Sequence, residues 1–385
     1  MKTVKRIVLS LVYVSILFSC AKKEQNYYTV ETVDGVEFVH NHKPLWEDVK
    51  RIELKLHLTI GGIDATDEDY IFSYLRDADI DENGNYYLVA NDCIRKYDAQ
   101  GNYLKTIGRK GQGPGEFNQP TDITFDKAGH LIVYEIRSRR IQRIPPEQIH
   151  ENSIRINYDI RRIHEIKMLN SGHLVISTYN FDTSTANDSN SHRILITDNN
   201  FNIKDSFLMY RHFNKGIHWK KGVGVAFSIL NNFSIGTDSE DNIFAAEKYE
   251  NKIEKYSVKG RLLRRFDRDL PYEIKTYVGK SKNSLWFTHS TLRLETDHKD
   301  RIWIQSYSEA HSDDEIKRYL KRKNRRDRLR SLNRRFEIYD NKGYLLSFMD
   351  PFKDKDMAML KIVDDKMLLR DEDRVTLYVY KIVAK

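Results

Sequence analysis

Cysteine is nearly absent from this chain of 385 residues, which contains only Cys20 and Cys93. Two cysteines form at most one bridge, so a small fold held together by several disulfides is excluded. Cys93 follows a predicted strand and is interpreted as a small buried apolar residue. The chain must therefore be stabilised by its hydrophobic core, and it is long enough for one large domain or two smaller ones.

Motifs typical of catalytic and metal sites are also missing. Apart from His40 and His42, which precede the repeats described below, the thirteen histidines show no spacing typical of a metal site. No GxSxG nucleophile motif occurs. Acidic turns such as residues 238–241 lack the pattern of a calcium-binding loop and are interpreted as ordinary β-turns. Motifs alone therefore assign no catalytic residue and no metal ligand.

The net charge of +8 is unevenly distributed. The first six residues contribute three positive charges, and residues 309–335 contain eleven Lys or Arg against five Asp or Glu. The rest of the chain is close to neutral, with one basic insert. A near-neutral body argues against binding to nucleic acid, which is a polyanion.

The N-terminus has the pattern of an export signal. An apolar run over residues 7–18 follows Lys2, Lys5 and Arg6, and it is too short to span a bilayer. The sequence LFSC at residues 17–20 is similar to the lipobox of bacterial lipoproteins, in which the cysteine becomes the lipidated N-terminus. We therefore expect a signal peptide over residues 1–19, lipidation at Cys20, a tether over residues 20–47, and an exported lipoprotein at the outer membrane, on its periplasmic side or at the cell surface. The alternative is a plain signal peptide in which Cys20 is incidental.

Two kinds of repeated segment run through the rest of the chain. One kind places a Tyr four residues before a Gly and a strand-like run: YDAQGNYLKTI from Tyr97, YSVKGRLLRRF from Tyr256 and YDNKGYLLSFM from Tyr339. The other kind precedes it: DIDENGNYYLVA from Asp79, ITFDKAGHLIVY from Ile123 and IKMLNSGHLVIS from Ile166, with weaker copies from Ile235, Leu294 and Leu360. Each segment joins a polar turn to an apolar strand, so one unit contains two hairpins. Four short antiparallel strands make one blade of a β-propeller.

The first-hairpin turns give the number of blades. They are centred on Gly84, Gly129, Gly172, Asp241, Asp300 and Asp365, which predicts six blades over residues 48–385. The last blade, over residues 357–382, has room for only three strands. Residues 51–60, RIELKLHLTI, alternate strictly and are predicted to supply its outer strand. We therefore expect an all-β fold, a six-bladed propeller closed by its N-terminal strand.

The segment GQGPGEF, followed by Pro120 and then TDITFDKAGHLIVYE, resembles the NHL-type six-bladed propellers, and the resemblance covers residues 50–383. The richness in Asn, Lys, Tyr and Ile suits a Bacteroidetes-type chain. Propeller lipoproteins of that type, which this chain resembles, generally lack an assigned activity. Six-bladed propellers also include lactonases and lyases that hold a metal in the central channel, and some animal NHL propellers bind RNA.

The glycine-rich stretch GRKGQGPGEF at residues 108–117 raises the question of a phosphate-binding loop. Such a loop runs into a helix N-terminus, whereas this stretch is followed by a predicted strand, and Pro114 removes one backbone donor. We therefore interpret it as the crossing from the first blade to the second.

The long insertions all fall between the second and third strands of a blade or between blades, and so on one face, which we call the looped face. They cover residues 180–192, 210–227, 267–290 and 308–334, and binding residues collect on such loops. The candidate ligand-binding residues are Arg211, His212, Lys215, His218 and Trp219 in the crossing from blade 3 to blade 4, and Lys321, Arg322 and Arg325 in a helical insertion in blade 5. Trp286 with His289 is a weaker candidate pair. The alternatives are a hydrophobic plug for the channel around Trp219 and a solvated helical arm for the basic insert, whose start carries the capping box Ser312 and Glu315.

The sequence therefore favours a membrane-tethered binding or scaffold lipoprotein that presents its looped face to a glycan, peptide or protein partner, with no cofactor and no nucleic acid. The alternative is a lactonase- or lyase-like propeller enzyme with Ca or Zn in the central channel.

Overall fold

The computed structural model describes residues 27–47, 51–145, 154–157, 163–178, 192–209, 233–278, 285–321, 333–353 and 355–385. These residues form a six-bladed β-propeller, as the turn count predicted. Three strands precede the blades: β1 (Tyr28–Val33), β2 (Val36–Asn41) and β3 (Ile52–Gly61).

The first three blades follow the chain in order, each as a four-stranded antiparallel sheet. Blade 1 contains β4 (Leu75–Ile80), β5 (Tyr86–Ala90), β6 (Cys93–Tyr97) and β7 (Tyr103–Ile107). Blade 2 contains β8 (Pro120–Phe125), β9 (Leu131–Glu135), β10 (Arg140–Ile144) and β11 (Ile154–Asn157). Blade 3 contains β12 (Ile163–Met168), β13 (Leu174–Thr178), β14 (His192–Thr197) and β15 (Ile203–Met209).

The last three blades carry the additions to the basic unit. Blade 4 contains β16 (Phe233–Thr237), β17 (Ile243–Glu247), β18 (Lys252–Tyr256) and β19 (Leu262–Asp267). A small hairpin of β20 (Thr276–Val278) and β21 (Leu285–Phe287) precedes blade 5, which contains β22 (Arg293–Thr296), β23 (Ile302–Tyr307), β24 (Arg334–Tyr339) and β25 (Leu345–Met349). Blade 6 contains β26 (Met357–Val363), β27 (Lys366–Asp371) and β28 (Thr376–Ala384).

The ring closes where the sequence predicted. Strand β3 pairs antiparallel with β28, from Ile60 opposite Leu377 to Ile52 opposite Ala384, and is the fourth strand of blade 6. The first and last segments of the propeller thus share one sheet. Because β28 is covered by β3, the last blade does not leave its third strand as an open edge.

The tight turns explain the repeated polar motifs. Gly84 and Gly129 have φ values of 81° and 77°, a conformation that residues with a Cβ rarely adopt. In blades 4 and 5 the same place is taken by Asp241 and Asp300, also with positive φ. In blade 6 the residue with positive φ is Asp364, one position before the aspartate that the sequence pattern indicated.

Buried apolar side chains form a cluster at each junction between consecutive blades. At the junction of blades 4 and 5, for example, Phe244 and Ala246 pack with Ile302 and Tyr339, and none of these side chains is exposed. The same arrangement joins blade 6 to blade 1, where Leu368 packs with blade 1 residues such as Leu88. The hydrophobic effect therefore holds the blades to each other around the ring.

The segment expected to be a tether is partly folded onto the propeller. Strands β1 and β2 form a hairpin, and β2 pairs parallel with β19, the outer strand of blade 4. The side chain of Asn41 donates to the carbonyls of Asp267 and Gly343, and the amide of Trp46 donates to the carbonyl of Leu346 in blade 5. We call residues 27–47 the strap. The strap covers the outer edge of blade 4. The sequence repeats had predicted no strand that pairs with this edge.

The glycine-rich stretch is a crossing between blades, because β7 ends at Ile107 and β8 begins at Pro120 with no helix between them. Backbone amides of this stretch already donate hydrogen bonds to a carboxylate within it. The Glu116 carboxylate accepts from the amides of Gln112 at 3.1 Å and Gly113 at 2.8 Å, and from Nε of Arg109 at 2.9 Å. The side chain of the loop itself therefore takes the place that a phosphate would need.

Helix α1 (Asp313–Lys321) begins with the predicted capping box. The amide of Ser312 donates to Oε2 of Glu315 at 2.8 Å, and the amide of Glu315 donates back to Oγ of Ser312 at 3.3 Å. Ile316 anchors the helix with a buried side chain. Among the described residues, no helix is long and apolar enough to cross a membrane.

Candidate functional site

The inner strands of the propeller begin with an irregularity that exposes polar side chains to the central channel. Strands β4, β8 and β12 each carry a β-bulge at their second residue and β26 carries one at its fourth, so one extra residue is inserted against the second strand of the blade. In blades 1 to 3 the extra residues are Arg76, Thr121 and His164. A bulge re-aims side chains, and consecutive residues here both reach the mouth of the channel.

Polar side chains on the first two strands of the blades join each blade to the next. Backbone amides of the following blade donate to them: Ile123 to Asp77 at 2.9 Å, Ile166 to Asp122 at 3.3 Å, Ile235 to Glu165 at 2.9 Å, Leu294 to Ser234 at 2.8 Å and Met359 to Gln305 at 2.9 Å. The guanidinium of Arg370 in blade 6 donates to the carbonyl of Leu75 in blade 1 and completes the ring. These side chains therefore have a structural role, whatever else they bind.

Deeper in the channel, two lysines are held by carboxylates. Lys361 Nζ lies 2.7 Å from Asp79 and 3.7 Å from Asp77, and Lys167 Nζ lies 2.5 Å from Glu295. Burial alone would lower the pKa of Lys361, but the negative charges around it raise its pKa above the usual range. The centre of the propeller thus contains a network of paired charges.

Above this network lies a cavity of about 310 Å³ that opens on the looped face. Such a volume is in the range of small-ligand sites. The lining is mostly charged, and every blade contributes to it; blade 4 contributes only Lys248, which directly follows its second strand. The lining residues are Arg76, Asp77, Thr121, Asp122, His164, Glu165, Lys248, Leu292, Arg293, Gln305, Arg334, Ala358, Met359, Leu360, Arg370 and Glu372. We call this cavity the mouth pocket.

Cations outnumber carboxylates in the mouth pocket, and several carboxylates are already engaged. Glu372 is paired with Arg370 and lies 3.8 Å from Arg334. Arg76, by contrast, stacks over the ring of Tyr74 with 4.5 Å to the ring centroid, and it makes none of the ion pairs found between described residues. Cations without a dedicated carboxylate favour an anionic ligand.

Several buried polar atoms of the pocket residues lack a hydrogen-bond partner among the described residues, and they include Oδ1 of Asp122 and Nη2 of Arg293. Burial, followed by the charge of Asp77, raises the pKa of Asp122 well above its usual value. Asp122 is therefore a carboxyl group that resists ionisation and can donate a hydrogen bond. An unpaired buried donor or acceptor is costly, so both atoms favour occupation by a polar ligand.

A second feature of the pocket is a line of three side chains: Lys248, His164 and Glu165. The Nζ of Lys248 lies 2.9 Å from Nε2 of His164, and Nδ1 of His164 lies 3.4 Å from Oε1 of Glu165. Burial, with the charge of Lys248, lowers the pKa of His164 to about 4. The imidazole is therefore neutral at pH 7, and its Nε2 accepts a hydrogen bond from the lysine.

Most of the sequence-predicted site residues are not among those that the structure describes. Cys20, Arg211, His212, Lys215, His218, Trp219, Arg322 and Arg325 lie outside the described residues. Lys321 is exposed at the last position of α1, away from the mouth pocket. Trp286 pairs with Tyr277 in the small hairpin that precedes blade 5. His289 is mostly buried, and its ring contacts that of Tyr249.

The pocket residues themselves were not singled out from the sequence. The signal that would have found them is the polar residues at the start of otherwise apolar inner strands, as in RDADI from Arg76, TDITF from Thr121 and HEIKM from His164. Among the described residues, no three His, Cys, Asp or Glu side chains are grouped so as to hold a metal ion.

Comparison with known proteins agrees with this architecture. The sequence model of the family DUF5128, described as a 6-bladed beta-propeller, matches residues 65–223. No curated protein matches the chain at a significant level.

Solved structures show the same fold at low sequence identity. A candidate exported protein from Bacteroides fragilis is 12% identical, with a TM-score of 0.53, over 90% of this chain and 98% of that one. A member of the DUF4221 family from Bacteroides vulgatus is 10% identical, with a TM-score of 0.55, over 87% and 99%. The PQQ-bound aldose sugar dehydrogenase of Streptomyces coelicolor is 12% identical, with a TM-score of 0.50, over 86% and 98%. These likenesses establish the fold.

Proposed function

We propose that this chain is an exported, membrane-tethered binding protein that takes the acidic group of a glycan into the mouth pocket on its looped face. The single observation that carries the proposal is the combination of Arg76, Arg293 and Lys248 around one small cavity. Arginines bind carboxylate and sulfate groups in a fixed geometry. The carboxylates of the pocket provide acceptors for the hydroxyl groups of a sugar.

Export and anchoring belong to the same proposal. The apolar run and the cysteine at position 20 support them, as does the name of the Bacteroides fragilis protein with the same fold. A glycan at a bacterial surface would meet the looped face directly if the chain is anchored by its N-terminus. Peptide and protein partners are the other outcomes of the test below.

The experiment is a panel of uronate-containing, sulfated and neutral glycans, probed with the purified chain and with Arg76→Gln. Arg76 is the best position because its guanidinium faces the pocket without anchoring another blade. We expect acidic glycans to bind in preference to neutral ones, and Arg76→Gln to weaken binding about tenfold, which corresponds to about 1.4 kcal/mol.

The matched control is Arg261→Gln, which removes the same charge from an exposed turn on the opposite face. It should leave binding unchanged. Equal binding of neutral and acidic glycans, or equal losses in the two variants, would refute the proposal. Binding of acidic peptides without binding of any glycan would identify a peptide as the ligand instead.

The alternative function is an enzyme. Its specific support is the contact between Lys248 and His164, because both side chains have lowered pKa values and perturbed pKa values cluster at functional sites. The metal-dependent form of this alternative, with Ca or Zn, is tested by elemental analysis of the purified protein. A stoichiometric metal would favour it.

A further inference from the structure

Lys248 differs from the other buried lysines of the propeller. Lys361 and Lys167 each bind a carboxylate at 2.7 Å or less, whereas none of the ion pairs among the described residues involves Lys248. Its Nζ instead donates to His164 at 2.9 Å, and its backbone carbonyl is fixed by the amide of Ser290 at 2.7 Å. The amine is thus held at the wall of a cavity by a neutral partner.

The surroundings favour the neutral amine. Burial is the largest influence and lowers the pKa of Lys248 to about 8; the charge of Glu165 opposes this, and that of Arg293 adds to it. His289 also faces the lysine, and burial together with the charge of Lys248 lowers the pKa of His289 to about 4. Neither histidine competes for the proton at pH 7. A substantial fraction of Lys248 is therefore nucleophilic in mildly alkaline solution.

A carboxylate site lies in the same cavity. Nη2 of Arg293 has no hydrogen-bond partner among the described residues, while the other nitrogens of its guanidinium are near Glu165 and Glu295. Leu292 and Leu360 supply apolar surface beside it. A ligand with a carboxylate next to a carbonyl group would place its acid on Arg293 and its carbonyl carbon near the amine.

We propose that Lys248 forms an imine with a 2-oxo acid whose carboxylate binds Arg293. The inference rests on the proposed function in one respect, because the anionic group occupies the same mouth pocket. A sugar acid whose open-chain form is a 2-oxo acid is both an acidic ligand of the mouth pocket and a compound that can form the imine. The structure assigns the role of nucleophile to Lys248, and the neutral His164 is the partner that holds its amine in place.

The step balances without a further reactant. The nitrogen lone pair of the neutral amine attacks the carbonyl carbon, and the carbonyl π electrons move to oxygen. One N–H proton of the resulting ammonium passes to this alkoxide oxygen, which leaves a neutral carbinolamine. The remaining N–H proton then leaves with the hydroxyl group as water, while the nitrogen lone pair forms the C=N bond. The sum is amine plus carbonyl giving imine plus water.

The test uses glyoxylate, the smallest aldehyde with an adjacent carboxylate, together with sodium cyanoborohydride, which reduces the imine to a stable carboxymethyl group. Peptide mass mapping then locates the modified lysines in the full chain. We expect Lys248 to be carboxymethylated at least tenfold faster than the exposed lysines, with a rate that rises between pH 7 and pH 9. Modification of surface lysines with Lys248 unmodified would overturn the proposal.

Two controls make the result specific. Lys248→Arg should abolish the labelling of this peptide, whereas Lys255→Arg should leave it unchanged, because Lys255 is paired with Asp238 at 2.8 Å away from the pocket. Acetaldehyde lacks the carboxylate and should label Lys248 at least tenfold more slowly than glyoxylate. Equal rates for the two aldehydes would overturn the assignment of Arg293 as the carboxylate site.

The outcomes also separate this inference from the proposed function. Labelling of Lys248 without any binding of acidic glycans would refute the glycan proposal and leave the nucleophile in place. Binding of acidic glycans that depends on Arg76, with no labelling of Lys248, would refute the imine and leave the binding protein.

Discussion

The Nζ of Lys361 in blade 6 lies 2.7 Å from Oδ2 of Asp79 in blade 1, so a buried ion pair crosses the seam at which the ring closes. The same amine donates to the carbonyl of Ile123 in blade 2. One lysine from the last blade thus holds the first two blades. Hydrophobic packing is non-directional, whereas this ion pair fixes the position of blade 6 relative to blade 1.

Replacing Lys361 should therefore destabilise the folded protein strongly. We expect Lys361→Met to lower the free energy of unfolding by about 3–5 kcal/mol, because it leaves the carboxylates of Asp77 and Asp79 buried without their cation. Urea unfolding followed by circular dichroism measures the change. Lys385→Met is the control: Lys385 pairs with Glu53 at 3.7 Å on the surface, and its loss should cost less than about 1 kcal/mol. Similar costs for the two variants would contradict this role for Lys361.

The strand that closes the ring should contribute through its inward face. Ile60 is 1% exposed and packs with blade 1 and blade 6, whereas Leu56 on the same strand is 56% exposed. Ile60→Ala should therefore cost about 2–5 kcal/mol of unfolding free energy, and Leu56→Ala less than about 1 kcal/mol. Thermal and urea unfolding of the two variants check this. If they lose equal stability, β3 is not packed as described.

The docking of the strap onto blade 4 should depend on pH through His40. Its Nδ1 lies 2.7 Å from Asp267 and its Nε2 lies 3.1 Å from Glu31. Burial alone would lower the pKa of His40, but the hydrogen bonds to the two carboxylates outweigh it, so the pKa is raised. A raised folded-state pKa gives stability that is fully present below the unfolded value of about 6.5 and is lost as the pH rises through the folded value.

Hydrogen exchange of the β2 amides, compared between wild type and His40→Gln, measures this dependence. We expect wild type to be better protected near pH 6 and the difference to shrink by pH 8.5. The effect should be below about 1 kcal/mol, since a third of the His40 side chain is exposed and solvent screens the pair. A difference that stays constant over this range would contradict the assignment.

The architecture was predictable from the sequence because local chemistry repeats along it. Hairpin turns that need a positive φ favour Gly, Asn and Asp, and such residues recur at Gly84, Gly129 and Asp241. Alternation in residues 51–60 identified the closing strand, which the structure places at Ile52–Gly61. The strap was missed, because its parallel pairing with β19 joins residues more than two hundred positions apart and leaves no periodic signal.

The mouth pocket was missed for a related reason. His164 and Lys248 are far apart in sequence, and only the bulge in β12 turns His164 toward the lysine. Each residue alone is an ordinary polar residue at the end of a strand. The long insertions drew attention to the loops, whereas most of the charged side chains of the mouth pocket lie on the first two strands of the blades.

Asp122 gives the last prediction, which concerns stability and pH. The charged side chains whose fields act on it are those of Asp77, Lys361, Arg293 and Lys167. Burial is the largest influence and raises the pKa of Asp122 well above its usual value. The folded state therefore holds this proton more tightly than the unfolded chain does, and ionisation of Asp122 costs stability as the pH rises above the unfolded value of about 3.9. Asp122→Asn removes that cost.

We therefore expect Asp122→Asn to unfold at higher urea concentration than wild type at pH 7, and the advantage to disappear near pH 3.5, where the unfolded carboxyl is also protonated. Asp126→Asn is the matched control with the opposite sign. Burial alone would raise the pKa of Asp126, but hydrogen bonds from His130 and the charge of Arg143 outweigh it and lower the pKa. Its ionised form stabilises the fold, so Asp126→Asn should lose stability at pH 7 and lose less as the pH falls. The same sign for both variants would contradict the environments described for the two carboxyl groups.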